Sequence, residues 1–396
     1  MKPINPLVAQ LPNWRELMND PLGKIAAGAK DLLLASAGEW SADIPMPDHM
    51  IEAAVASVQG RPSYTNSMGL IELREAIAEK LVQENGLRWY DPGDEILVTS
   101  SATEAACITV RALLSPGDEI IFGDPYYLGL YQGNVDMAGA KSVFVPCYAD
   151  NSFRLTAEGV REAITPNTKV LVVTSPENPT GATVTPEGME ELAQIALEND
   201  LWVISDEVYE KFVYDGRKHA SMACIPGMAE RTITINGFSK SFGMTGYRIG
   251  YVAGPASIVR ELAKIHVVTT LCASELSQRV GMAALRGPQD WLDAIVAQYG
   301  AARTAMVDGL NAIPGVTCPS PDGAIYVLPD FSAYGMTDME MSAFLIEHAR
   351  VNVRPGTYFG SQGKDRVRFN ITAHLDVAQE VVRRIKEALS LLPIKG

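Results

Sequence analysis

The sequence predicts an α/β protein: a large domain with a mostly parallel seven-stranded sheet between helices, plus a smaller α+β domain. Three observations carry this expectation. Seven short runs rich in Val and Ile alternate with helix-like stretches between about residues 70 and 260. Those runs are continuously apolar, as strands covered on both faces must be. After Pro255 the pattern turns to long helical stretches and then to shorter strand-like pieces. The expected division is 46–290 for the large domain, with 1–45 and 291–396 forming the small one. Two domains also suit a chain of 396 residues, given roughly 150 residues per domain.

Each element has its own reason. Leu70, Leu73, Ile77 and Leu81 recur at three- and four-residue spacing, which makes one apolar stripe of a helix, and Gly86 stops it. The strand-like runs are 95–99 (EILVT), 119–122 (EIIF), 142–145 (SVFV), 170–174 (VLVVT), 201–205 (LWVIS), 232–235 (TITI) and 249–253 (IGYVA). All except the second and third lead into or flank a loop crowded with polar residues, where open α/β sheets hold their ligands. In the C-terminal part GAIYVLPD and RVRFNI read as strands, with helices around 338–350 and 376–391. The Pro-rich N-terminal segment is expected to pack against that part.

Composition removes several classes of function. The 33 basic and 47 acidic residues give a net charge of −14, which opposes nucleic acid and anionic lipid. No apolar run approaches the ~20 residues of a membrane span, and residues 1–23 lack the apolar stretch of a signal peptide, so a cytoplasmic protein is expected. Cys107, Cys147, Cys224, Cys272 and Cys318 stand far apart, and the five histidines show no ligand spacing, so neither disulfides nor a metal site is expected.

Four segments can carry chemistry. In TINGFSKSFGMTGYR, residues 234–248, a strand runs into a loop holding Ser239, Lys240 and Arg248. A partly desolvated lysine there has a lowered pKa and a free amine for imine formation, and Arg248 with the hydroxyls suits a phosphate; a plain surface lysine fits this segment alone equally well. In LWVISDEVY a strand delivers Asp206 and, three residues on, Tyr209. A buried carboxylate needs a cationic or hydrogen-bonded partner, although an N-cap would also explain it. In VVTSPENPTG, Pro179 fixes extended or turn geometry at Asn178. Finally Ser101, Ala102 and Thr103 end a strand before a helix, whose free N–H groups make an anion site or simply a cap.

Taken together, SPENPTG, ISDEVYE and SKSFGMTGYRIGY, in that order, resemble the class I/II aminotransferases, the aspartate-aminotransferase-like enzymes of PLP fold type I. The resemblance spans nearly the whole chain, from YTNSMGLIELREAI to RVRFNI. It implies pyridoxal 5'-phosphate as cofactor, Lys240 as the lysine that carries it and moves the substrate proton, and Asp206 as the partner of the ring nitrogen. It assigns Asn178 and Tyr209 to the ring hydroxyl, and Arg248, Ser239 and the backbone of Ser101, Ala102 and Thr103 to the phosphate. Tyr127 would stack on the ring, and Tyr64 would reach the phosphate of a neighbouring subunit in a homodimer with shared active sites. Arg368 would clamp the substrate α-carboxylate, a bidentate task suited to guanidinium, with Asn178 beside it and Gly38 lining the pocket. The chain departs from the family at Gly237, where Ser is usual, and at AGEWSADIP, where Gly-Glu-Pro-Asp-Phe is usual. Thr103 stands where an aspartate-specific subgroup has lysine, and no second arginine is assignable, so neutral or aromatic donors are expected over acidic ones.

The resulting expectation is ping-pong transfer of an amino group from an L-amino acid to a 2-oxo acid. A PLP-dependent lyase or cyclising enzyme on the same scaffold is the alternative, because the same residues make the carbanion. A regulator's effector domain would need a basic helix-turn-helix ahead of residue 35, and a nucleotide-binding dehydrogenase would need Gly-x-Gly-x-x-Gly after a strand.

Overall fold

The computed structural model describes residues 5–9, 11, 21–36, 38, 40, 41 and 44–395. All seven apolar runs form strands of one sheet: β1 (Ile96–Thr99), β2 (Glu119–Asp124), β3 (Lys141–Pro146), β4 (Thr168–Thr174), β5 (Trp202–Asp206), β6 (Thr232–Gly237) and β7 (Gly250–Ala253). The order is β1-β7-β6-β5-β4-β2-β3, and every neighbouring pair is parallel except those of β7, which is antiparallel to β1 and β6. Side chains of β1, β5 and β6 are almost wholly buried, because helices cover both faces. Ala102–Leu113 and Ala256–Thr269 pack on one face, and Pro186–Glu198 with Ala157–Ala163 on the other.

The Leu73, Ile77 and Leu81 stripe lies on the helix Ile71–Gln83, each residue fully buried and each worth roughly 1.5–3 kcal/mol on transfer from water. The helix ends at Gln83, and Gly86 follows with φ +70° in the left-handed region that favours glycine. Further along, the helices Glu275–Arg286 and Asp290–Asn311 lead to a C-terminal region whose core lies between Asp290–Asn311, Leu375–Leu389 and three short strands. Val367–Asn370 pairs antiparallel with Tyr326–Val327 on one side and Arg354–Pro355 on the other. The N-terminal Leu33–Leu34 pairs in parallel with Val351–Asn352, and Ala35 O accepts from Asn370 N at 2.7 Å. The first part of the chain is thus bonded to the last.

Strand register aligns the ligand-side edge of the sheet. Thr99 pairs with Gly250 and Gly250 with Gly237, while Asp206 pairs with both Ile235 and Thr174. The loops after β1, β4, β5 and β6 therefore leave the same edge. The strand 119–122 was not expected to feed that edge. It runs on to Asp124, and the chain then delivers Tyr126, Tyr127 and Tyr131 to it. Asp124 anchors this exit by accepting from Ser361 Oγ (2.6 Å) and Ser361 N (3.1 Å).

Candidate active site

Lys240 sits on the short helix Phe238–Ser241, directly after β6. Its Nζ donates to the carbonyl of Gly38. Gly38 is hemmed in: a Cβ there would lie 3.4 Å from Lys240 Nζ and closer still to the Tyr326 hydroxyl. One strand over, Asp206 ends β5 with its side chain 2 % exposed. A turn follows rather than a helix, so Asp206 is not an N-cap, although Val208 N donates to its Oδ1 at 3.4 Å. Tyr131 donates its hydroxyl to Oδ2 at 3.0 Å. Burial pushes the Asp206 carboxyl up to about 6 against those two hydrogen bonds. Burial also holds the Glu177 carboxyl well above the usual range, with Asp206 adding to the effect.

A second group forms around Arg368. Its Nη1 donates to Asn178 Oδ1 (3.0 Å) and its Nη2 to Ser36 O (2.7 Å). The guanidinium lies between the rings of Tyr326 and Phe359, 4.4 and 4.5 Å from their centroids. Asn178 Nδ2 donates to the Tyr209 hydroxyl at 3.5 Å, and Tyr209 and Tyr326 share a hydroxyl–hydroxyl contact of 2.9 Å. Four residues separated by up to 190 positions are therefore one connected network. A second arginine, which the sequence alone did not disclose, is the register partner of Arg368: Arg354. Burial lowers the Arg368 guanidinium, Tyr326 and Tyr209 oppose that, and the Arg354 charge lowers it further.

The anion end is built by backbone. Ser101 precedes the helix Ala102–Leu113 with φ +94°. A Cβ on Gly250 would lie 2.5 Å from Ala102 N and 2.7 Å from Ser101 C, so only glycine lets the helix start press against β7. A Cβ on Gly237 would reach the same amide only at ordinary contact distance, 3.7 Å from Ala102 N. Glu104 reaches back to Ser100 N at 2.6 Å and is itself held by His266 and Thr270. Arg248 is exposed, and its Nη1 donates to Thr245 O at 2.9 Å. Thr103, Tyr127 (48 %) and Tyr64 (83 %) are also exposed, and Ser239 is half-buried. Among the described residues none of these side chains bonds Asp206, Asn178, Tyr209 or Arg368, so the structure does not join them to the network.

Sequence reasoning missed Tyr131, Trp40, Glu177 and Arg354. Tyr131 is one of three tyrosines in DPYYLGLY, and nothing in its spacing tells it from the others. On the opposite side of the strand end, Glu207, Glu210 and His219 bring potential ligand atoms within 4.8 Å of one another. Lys80 already pairs with Glu210 there, and Ser205, Ser221 and Asn85 bond Glu207.

A mostly parallel sheet with Asp206 and Lys240 just beyond its strand ends, and Arg368 bonded to Asn178 of the neighbouring loop, has the arrangement of an α/β enzyme that holds its ligand at that edge. Residues 31–385 match the family model for aminotransferase class I and II, and the chain belongs to that family. It is 38% identical to the aspartate aminotransferase of Pyrococcus abyssi, over 92% of this chain and 93% of the relative. It is 35% identical to aromatic-amino-acid aminotransferase 2 of Thermococcus litoralis, over 92% and 93%. The crystal structure of the aspartate aminotransferase from Rhizobium meliloti superposes with a TM-score of 0.91 at 33% identity, covering 99% of this chain and 100% of that one. The chain is therefore an aminotransferase, and enzymes of this family work by ping-pong amino-group transfer with pyridoxal phosphate.

Proposed function

We propose that this chain binds pyridoxal 5'-phosphate and uses it to pass the amino group of an L-amino acid to a 2-oxo acid, through Lys240. The observation that carries the reading is Asp206. It is a buried carboxylate with an elevated pKa and one strong donor, and among the described residues no cation pairs with it to justify its burial. A protonated pyridine nitrogen is such a cation. The rest of the site suits the same group: Gly250 makes a cradle at Ala102 N, and Arg248 has no carboxylate partner among the described residues.

Bound pyridoxal phosphate supplies a ring that accepts the electron pair left when substrate Cα loses its proton. Everything else falls to this chain. Lys240 Nζ holds the cofactor and then moves the proton. Asp206, supported by Tyr131, keeps the ring nitrogen protonated. Asn178 and Tyr209 hydrogen-bond the ring oxygen, and Tyr127 covers a ring face. Arg248, Ser239 and the amides of Ser101, Ala102 and Thr103 receive the phosphate. Arg368 clamps the α-carboxylate, its guanidinium desolvated between two rings where a charge-assisted pair is strong. Against the expectation of neutral or aromatic donors, Arg354 beside it supports an acidic side chain on one of the substrates, although its Nη1 also donates to Asn352 Oδ1 and Val353 O. Relatives named for aspartate and for aromatic amino acids are both similar to the chain. The domain division proposed is 46–290 against 1–45 with 291–396; residues 1–4, 10, 12–20, 37, 39, 42, 43 and 396 lie outside the described residues. A homodimer is proposed in which Tyr64, 83 % exposed, serves the neighbouring subunit.

The test is spectral. Purified protein loaded with pyridoxal phosphate should lose its visible absorbance band on adding an amino donor and regain it only when a 2-oxo acid follows. Lys240→Ala should lack the band. A band that persists in Lys240→Ala, or ammonia released without any 2-oxo acid, would sink the reading.

A further inference from the structure

Gly38 and Trp40 hold Lys240 at both ends. Gly38 O accepts from the lysine Nζ, and Trp40 Nε1 donates to the Lys240 carbonyl at 2.8 Å. A four-residue helix cannot satisfy that carbonyl itself, since the last four carbonyls of any helix lack intrahelical partners. The indole N–H takes the vacant role. Trp40 is half-buried and seated by aromatic rings from two directions. Phe212 lies edge-on at 6.4 Å, Tyr299 edge-on at 6.1 Å, and Trp291 tilted at 5.7 Å. Its fourth wall is Gly243, with φ +64°, where a Cβ would come within 2.9 Å of the ring. That wall lies three residues beyond Lys240, so the lysine segment and the tryptophan fit each other.

We propose that Trp40 is a positioning residue for Lys240: its indole N–H fixes the Lys240 carbonyl and thereby aims the amine. The proposal rests on the assignment of Lys240 made above. Covalent capture reads the aim directly. The unprotonated amine attacks the aldehyde carbon of pyridoxal phosphate, a C=N bond forms, and the oxygen leaves as water with the two amine hydrogens.

The experiment mixes cofactor-free protein with pyridoxal phosphate, follows the absorbance of the C=N bond, traps it with borohydride and maps the labelled peptide. Trp40→Phe keeps the ring and removes the N–H. Capture at Lys240 should slow about tenfold, the scale expected for a small misplacement of a reacting group. In the loaded enzyme, the isotope effect on kcat with Cα-deuterated donor should rise, while KM stays within about twofold because Arg368 keeps its own partners. Gly243→Ala keeps the N–H but displaces the ring, and should shift both readouts in the same direction; it decides the matter if Trp40→Phe does not fold. Capture at the wild-type rate with an unchanged isotope effect in both variants overturns the proposal. Label appearing at wild-type rate in Lys240→Ala would instead overturn the underlying assignment of the lysine, so the two failures are distinguishable.

Discussion

Asp206 is kept at a cost that its own surroundings make measurable. Its folded-state carboxyl titrates at about 6, where an unfolded aspartate titrates near 3.9. The native chain therefore binds more protons between those values, and stability falls as pH rises from about 4 to about 6, then levels off. Asp206→Asn should remove that slope. In urea unfolding of cofactor-free protein, the variant should gain on the parent across this window, by on the order of 2 kcal/mol. The same variant should bind pyridoxal phosphate more weakly at pH 7. Gains in stability and losses in binding are opposite signs, and a variant that lost both would refute the account. At this scale the motifs drew attention to Lys240, Asp206, Asn178 and Arg368, and the structure bonds Asn178 to Arg368. They did not draw attention to Tyr131 or Arg354, whose contacts with Asp206 and Arg368 come from where a helix and a strand pair happen to place them.

The turn after β5 sends residues three apart the same way. Asp206 bonds Tyr131 and Tyr209 bonds Tyr326, while Glu207 and Glu210 bond a buried polar cluster with Lys80, Asn85, His219 and Ser221. Burial alone would raise the Glu210 carboxyl, but Lys80, His219 and Lys211 hold it down at about 2. The cluster thus braces from behind the turn that follows Asp206. Both partners of the Lys80–Glu210 pair are 5 % exposed, so Lys80→Met should strand a charge and cost about 3–5 kcal/mol. Adding Glu210→Gln should recover part of that loss in chemical denaturation; full additivity would show that the two groups do not act as a pair. The strands themselves were readable from apolar runs, with errors of one to three residues at their ends. The cluster was not, because Lys80 and His219 are far apart in sequence and each looks like an ordinary surface residue.

For the whole molecule, the helix Asp48–Gln59 leaves Ile51, Val55 and Val58 at 45, 50 and 59 % exposure, one apolar stripe at four- and three-residue spacing. Tyr64 follows close behind. In a chain carrying −14, an apolar face of this kind fits the homodimer proposed above. Val55→Asp should shift the particle from dimer to monomer in sedimentation, and cofactor affinity should fall with it, since Tyr64 would no longer be delivered. A monomeric variant with undiminished affinity would argue against shared sites. Among the described residues no helix is long and apolar enough to cross a membrane.

The pairing of Leu33 with Val351 also sets a timetable. The strand at residue 33 has to wait for 318 further residues (351 − 33) before its partner exists, about 15–60 s at ribosomal speeds of roughly 5–20 residues per second. The seven-stranded sheet is complete by residue 253 and needs nothing from that late partner. Ser36, Gly38 and Trp40, which bond Arg368 and Lys240, follow directly on the strand tied to the late event. During synthesis Lys240 is thus made long before the pairing that its clamp depends on, and a nascent chain released short of residue 350 would lack that pairing.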